Sequence, residues 1–146
     1  MEVPLLAGPI EIDLVGERLL DAVTSTCDPD ATFSAQVEAG LRGALMFSSA
    51  EPECVRALLD HNGSEHVLLD ETGWRNTLAN RLRAAAKRQR NLVSPPLFLE
   101  SLLICEVEER LSRWLREGQA QPLGDLVREQ SELILGYYAP RARPSA

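Results

Sequence analysis

The sequence predicts an all-α fold of about six helices. In six successive segments, apolar residues recur at the three- and four-residue spacing of a helix. Proline, glycine and small polar residues separate these segments at points where a helix has to end. Only 5% of the residues are aromatic, so the core depends on Leu, Val and Ala, a composition that favours helices over sheets.

The first predicted helix begins at Ile10, after an irregular lead-in over residues 1–9. Its apolar residues follow helical spacing only roughly, and they are Ile10, Leu14, Leu19, Ala22 and Val23. The helix ends by Asp28, because the residue before a proline is driven out of the α conformation and Pro29 follows directly.

Two further helices are predicted before residue 63. The second helix takes Asp30 or Thr32 as its N-cap and runs to Phe47. Its apolar face consists of Phe33, Val37, Leu41, Leu45 and Met46. A short third helix has Pro52 in its first turn, where proline is well tolerated, and the sequence His-Asn-Gly at 61–63 ends it.

A long fourth helix is predicted from Glu65 to about Gln89. Its buried face is expected to consist of Val67, Leu68, Leu69, Trp74, Leu78 and Leu82. The stretch 75–90 within this helix contains six Arg or Lys residues and no acid. A solvated helix face beside acidic neighbours is one interpretation of this charge, and an anion or phosphate site is the other.

Two longer amphipathic helices are predicted at the end of the chain. One runs from the Ser-Pro-Pro sequence at 94–96 to about Gly118, and the other runs from Pro122 to about Tyr138. Each carries more apolar surface than one contact can hide, which predicts an interface with another subunit. The helical domain is therefore expected to span residues 10–139, followed by a disordered tail at 140–146.

Composition and charge exclude several classes of protein. The net charge of −7 argues against nucleic-acid binding by the chain as a whole. No apolar run approaches the ~18 residues of a membrane span, and the N-terminus lacks the basic region of a signal peptide. Three cysteines without metal-like spacing indicate reduced thiols and a cytoplasmic protein.

Catalytic and metal-binding patterns are also absent from the sequence. There is no Ser–His–Asp candidate, glycine-rich phosphate loop or HExxH motif. His61 and His66 do not share a helix face, and no third ligand stands at a spacing typical of a metal site. The sequence predicts no enzyme activity, no cofactor and no bound metal.

Three segments resemble the C-terminal regulatory region of TetR/AcrR-type transcription regulators. They are FSAQVEAGLRGALMFSSAEPECVRALL at 33–59, WRNTLANRLRAAAKRQ at 74–89 and PPLFLESLLICEVEERLSRWLREGQAQPLGDLVREQSELILGYY at 95–138. The likeness lies in the order of the helices and the placement of the turns, and it extends over about 10–139. These regulators also carry an N-terminal helix-turn-helix head, which no segment here matches.

The resemblance implies a small-molecule pocket among the middle helices and a four-helix bundle between two subunits. The candidate pocket residues are Phe33, Met46, Phe47, Trp74, Arg75, Leu78, Phe98 and Leu102. The candidate residues of the dimer seam are Leu103, Val107, Leu111, Trp114, Leu126, Val127, Ile134 and Tyr138. Trp74 and Arg75 are the strongest pocket candidates, because an indole N–H needs a partner and Arg75 could hold an acidic effector.

Three functions stay open at this point. The first is a homodimeric domain that senses a small, largely apolar effector and does not itself bind DNA. The second is a helical interaction module that forms mixed dimers with another regulator and binds no ligand. An open cavity of a few hundred cubic ångströms favours the first, and a filled core favours the second. The third is a small enzyme on a helical scaffold, which would need converging titratable groups.

Overall fold

The computed structural model describes residues 9–61, 74–88 and 99–138, which form six α-helices without a strand. The all-α fold predicted from the sequence is therefore confirmed. The helices are α1 (Pro9–Ser25), α2 (Phe33–Ala50), α3 (Pro52–His61), α4 (Trp74–Lys87), α5 (Leu99–Arg116) and α6 (Leu123–Tyr138). None of them is long and apolar enough to cross a membrane.

Most helix ends lie within a few residues of their predicted positions. α2 continues three residues beyond the predicted end at Phe47, and α4 begins at Trp74. The part of the predicted fourth helix before Trp74, the start predicted at 94–96 and the tail at 140–146 lie outside the described residues. So do residues 1–8 of the predicted lead-in, while Pro9 already belongs to α1.

Local side-chain chemistry forms the turn between α1 and α2. The Asp28 carboxylate accepts a hydrogen bond from the backbone N–H of Asp30 at 3.0 Å, as in an Asx turn. The Thr32 hydroxyl accepts from the N–H of Ala35 at 3.1 Å. Thr32 is therefore the N-cap of α2, which decides between the two caps that the sequence allowed.

α2 is the central helix, and it packs against α1 on one side and α6 on the other. Its closest approach is to α1, where a side chain at Gly43 would overlap the carbonyl oxygen of Ala22 and stand 2.8 Å from the Thr26 hydroxyl. That hydroxyl donates to the carbonyl of Ala39 at 2.8 Å and so joins the two helices. The absence of a side chain at position 43 therefore sets the spacing of α1 and α2.

We expect Gly43→Ala to destabilise the protein by about 1–3 kcal/mol, the usual cost of overpacking a core. The added methyl group meets backbone, which cannot rotate out of the way. Thermal and urea unfolding followed by circular dichroism measure the change. Gly136→Ala in α6 is the matched control, since no atom lies within 4 Å of the added carbon. The control should be neutral or stabilising by up to about 1 kcal/mol, and equal losses in both variants would contradict this account.

The main hydrophobic core lies between α2, α5 and α6. It is built around Phe33, Val37, Leu41, Leu45, Val55, Leu103, Leu111, Trp114, Leu115, Leu126, Val127, Ile134 and Tyr138. Within this core the Trp114 indole N–H donates to the backbone carbonyl of Gln121 at 2.8 Å. Gly118 and Gln119, both with positive φ, turn the chain between α5 and α6.

The predicted dimer seam is occupied within a single chain. Seven of its eight residues are between 0% and 4% exposed, and Val107 is partly buried against the same core. In the described residues, these side chains are covered by helices of the same chain. Homodimerisation and the residues of its interface stay predictions.

A buried polar contact joins the C-terminus of α6 to the start of α5. The Tyr138 hydroxyl donates to the Glu100 carboxylate at 2.9 Å, and both residues are buried. Arg83 of α4 lies 3.5 Å from the other oxygen of that carboxylate, while the Phe33 ring meets Tyr138 edge to face at 5.0 Å. Burial, reinforced by the hydrogen bond to Glu100, raises the pKa of Tyr138 above its usual range.

We expect this tyrosine to make folding stability fall at alkaline pH. Because its folded pKa is raised, its contribution is complete below the unfolded pKa of about 10 and is lost as the pH rises further. The loss approaches 1.4 kcal/mol per pH unit for one such group. Urea unfolding of wild type and Tyr138→Phe between pH 8 and 11.5 isolates the contribution of the Tyr138 hydroxyl. Parallel pH profiles of the unfolding free energy for the two proteins would contradict the raised pKa of Tyr138.

Candidate ligand-binding cavity

An apolar cavity of about 400 Å³ lies between α1, α2, α4 and α5. Leu59 of α3 and Ile134 of α6 also line it, as do Cys27, Pro29 and Arg88 outside the helices. This volume falls in the range of about 300–1,000 Å³ that small-molecule sites occupy. Protein interiors are normally packed without voids much larger than a water molecule, so a space of this size is a distinctive feature of the fold.

Small residues form part of the cavity lining on two helices. Gly40 and Ala44 stand one turn apart on the α2 wall, and Ala85 stands on the α4 wall. Larger apolar side chains make up most of the remaining lining, and they include Leu19, Val23, Leu41, Leu78, Leu82, Ile104 and Leu111.

The polar residues of the α1 and α2 walls direct their hydrogen bonds to the backbone. Thr24 Oγ1 donates to the carbonyl of Leu20 at 3.0 Å. The Gln36 side chain donates to the carbonyl of Ala31 at 2.8 Å. The Cys27 thiol bonds to the carbonyl of Val23, with Sγ 3.2 Å from its oxygen. Burial raises the pKa of Cys27, although nearby Arg81 opposes the shift, so the thiol stays protonated and this part of the lining is uncharged.

Trp74 forms the wall where α4 begins. Its ring rests on Gly16 of α1, where a β-carbon would stand only 2.7 Å from Cδ1. On the ring lies the guanidinium group of Arg75, with Cζ 4.6 Å from the centroid. The indole N–H is buried and has no hydrogen-bond partner among the described residues. Such a group is costly to leave unpaired, and it lies against α1, where the indole nitrogen would stand 3.3 Å from a β-carbon at Gly16.

A buried ion pair joins α4 to α5 at the cavity wall. Nε and Nη2 of Arg75 each donate to one oxygen of Glu108 at 2.6 Å, and the two side chains are 6% and 15% exposed. Burial raises the pKa of Glu108, while Arg75 opposes the shift by bonding and attraction. The sequence predicts that Arg75 could bind an acidic effector. In the structure, its Nε and Nη2 already donate to Glu108, which lines the cavity.

The predicted pocket residues are only partly brought together. Phe33, Trp74 and Leu78 line the cavity. Met46 and Leu102 do not, and they are 57% and 49% exposed elsewhere on the surface. Phe47 packs against the main core and against a smaller cluster formed by Val15, Leu19 and Leu58. Arg75 is paired with Glu108, and Phe98 lies outside the described residues.

Sequence reasoning missed most of the lining from α1, α2 and α5. Leu19, Val23 and Ile104 were assigned to ordinary helix faces or not assigned at all. The available signal was the pair Gly40 and Ala44, four residues apart on an otherwise bulky apolar face. No local pattern indicates a role for Glu108, because its partner Arg75 is 33 residues away in the sequence.

No family model, curated protein or solved structure matches this chain. Within 9–61, 74–88 and 99–138, no group of three His, Cys, Asp or Glu residues is placed to hold a metal ion. The fold and the cavity define an all-α domain with an internal apolar site, and the functional argument rests on these features.

Proposed function

We propose that this chain is an effector-binding regulatory domain of the TetR type. In this proposal it binds a small, largely apolar molecule, pairs with a second copy and has no DNA-binding activity of its own. The observation that carries the proposal is the apolar cavity of about 400 Å³ between α1, α2, α4 and α5. The order of six helices agrees with the resemblance noted in the sequence.

A ligand in this cavity would supply the packing that the void lacks. Apolar side chains line most of it, including Phe33, Val37 and Leu111, and each methylene group that leaves water for such a site contributes about 0.8 kcal/mol. The same cavity argues against the mixed-dimer module, for which a filled core is expected.

The walls also offer a route from binding to regulation. The cavity is lined by α1, α2, α4 and α5, and the Arg75–Glu108 pair holds α4 and α5 together. A ligand that prefers one arrangement of these helices shifts the population toward it. In a complete regulator, such a shift would change the relative position of two DNA-binding heads.

The proposal is tested by filling the cavity. Ala44→Leu with Ala85→Leu places two larger side chains into the space, while Ala35→Leu makes the same change on the exposed face of α2. Binding of 1-decanol and decanoate is measured by isothermal titration calorimetry, below micelle-forming concentrations. We expect wild type and Ala35→Leu to bind at least one of the two with a negative heat-capacity change.

The filled variant should bind that ligand at least tenfold more weakly and unfold at an equal or higher temperature, since it removes a void. Equal binding by the filled variant would place the ligand elsewhere. Absence of binding by wild type to either probe would argue against an apolar effector. Sedimentation of the same samples tests pairing, with a homodimer expected at twice 16.1 kDa.

A further inference from the structure

We propose that the ligand is a slender amphiphile with one anionic head group. The head, a carboxylate or a phosphate, would lie between Arg81 and Arg88 at the mouth of the cavity, and the apolar tail would run along α4 toward Trp74. This inference rests on the proposed function and adds the chemical class of the effector and its direction in the site.

The lining of α4 shows that the cavity is long. Trp74 stands at the beginning of the helix, Arg81 two turns later and Arg88 directly after its end, and all three line the cavity. At 1.5 Å per residue, the first and last of these lie about 21 Å apart along the axis. The α4 lining is apolar at Leu78, between Trp74 and Arg81, and at Leu82, Ala84 and Ala85, between Arg81 and Arg88.

The α1 side of the lining also extends beyond Trp74. Trp74 rests on Gly16 in the middle of α1, while Cys27 and Pro29, which also line the cavity, follow the end of that helix. Gly16 lies nine residues before the last residue of α1, or about 14 Å along the helix. The cavity therefore extends along α4 from Trp74 past Arg81 to Arg88, a shape that fits an extended chain better than a compact ring system.

Charge at the mouth favours an anion. Arg81 and Arg88 are exposed, and neither forms an ion pair with another described residue. Among the described residues that line the cavity, the only acid is Glu108, which Arg75 already neutralises. Asp28 and Asp30 flank the mouth beside Pro29, where they are exposed and take part in the turn.

The head-group chemistry follows from the arginine side chain. A guanidinium group offers planar, permanently charged donors whose spacing matches carboxylate and phosphate oxygens. A neutral alcohol would leave both arginines bonded to water and gain only the burial of its tail. A cationic amphiphile would meet like charge at the mouth. Residues 75–90 carry six cations in a chain of net charge −7. The proposal gives two of them, Arg81 and Arg88, a specific role.

The test compares four ten-carbon probes: decanoate, decyl phosphate, 1-decanol and decyltrimethylammonium. Calorimetry is performed on wild type, on Arg81→Gln with Arg88→Gln, and on Arg56→Gln, which removes an exposed arginine of α3 outside the cavity lining. We expect wild type and Arg56→Gln to bind one anionic probe about tenfold more tightly than 1-decanol. In the double variant the preference should disappear while 1-decanol binding is unchanged.

The direction of the tail is tested with Ala44→Leu alone. Ala44 and Trp74 both pack against the smaller cluster of Val15, Leu19 and Leu58, so Ala44 lies toward the Trp74 end of the cavity. This variant should weaken decanoate binding more than octanoate binding, since each buried methylene contributes about fourfold. Equal losses of affinity for decanoate and octanoate would contradict the proposed direction of the tail.

The remaining outcomes separate the inference from the proposed function. Comparing decanoate with decyl phosphate identifies which anionic head the site accepts. If 1-decanol or decyltrimethylammonium binds wild type as tightly as both anions, the proposed anionic head group is wrong. The proposed apolar effector site is then retained. If none of the four probes binds, both proposals fall.

Discussion

Arg75→Met is expected to lower the free energy of unfolding by about 3–5 kcal/mol, the usual cost of breaking a buried ion pair from one side. The substitution keeps the apolar stem of the side chain and removes the two donor groups that meet Glu108 at 2.6 Å. The carboxylate is only 15% exposed, so water cannot replace the lost bonds. Urea unfolding at pH 7, followed by circular dichroism, measures the effect.

The loss should shrink as the pH falls. Burial already raises the pKa of Glu108, and removal of Arg75 raises it further because the opposing attraction disappears. Protonation then removes the buried charge at a pH above the range of an ordinary glutamate. The deficit of the variant is therefore largest above the raised pKa of the folded state and declines toward the unfolded pKa of about 4.3.

Two further variants isolate the pair. Arg75→Met with Glu108→Leu should recover most of the loss, since apolar side chains often replace a buried pair at little cost. Arg128→Met removes a partner of Asp125 from an exposed pair, with side chains 67% and 49% exposed, and should cost at most about 1 kcal/mol. If Arg75→Met lowers the free energy of unfolding by no more than Arg128→Met does, the structural role of Arg75 is contradicted.

The fold was predictable from sequence because its determinants are local. Thr32 caps α2 through a bond to a residue three positions away. Pro52 begins α3, and Pro122 stands directly before α6. Each of these effects depends on neighbours along the chain, so hydrophobic periodicity and turn chemistry are sufficient to place the helices.

The site was less predictable because it depends on helix rotation and on distant partners. Leu45 is 3% exposed and Met46 is 57% exposed, although periodicity alone placed both on one apolar face. Glu100 meets Tyr138 across 38 residues, and Arg75 meets Glu108 across 33. Periodicity identifies an apolar face but not what covers it, so the same residues can be predicted for a core or for a dimer seam.

Leu126→Glu is expected to unfold the chain rather than to separate a dimer. Leu126 is 0% exposed and belongs to the main core. A glutamate there would either bury an unpaired carboxylate or force the core to open, and both cost several kcal/mol. Tyr137→Glu is the matched control on the same helix, because Tyr137 is 50% exposed and its replacement leaves the core intact.

Circular dichroism and sedimentation velocity on the two variants separate folding from pairing. Leu126→Glu should lose its cooperative unfolding transition, whereas Tyr137→Glu should keep native helicity. If wild type sediments as a dimer and Tyr137→Glu as a folded monomer, the interface lies on the exposed face of α6. A folded, monomeric Leu126→Glu protein would instead show that Leu126 faces a partner, which its complete burial within one chain argues against. A buried apolar side chain of α5 or α6 cannot fill the core of its own chain and also contact a second subunit. The folding of Leu126→Glu therefore distinguishes a core residue from an interface residue before the mass is measured.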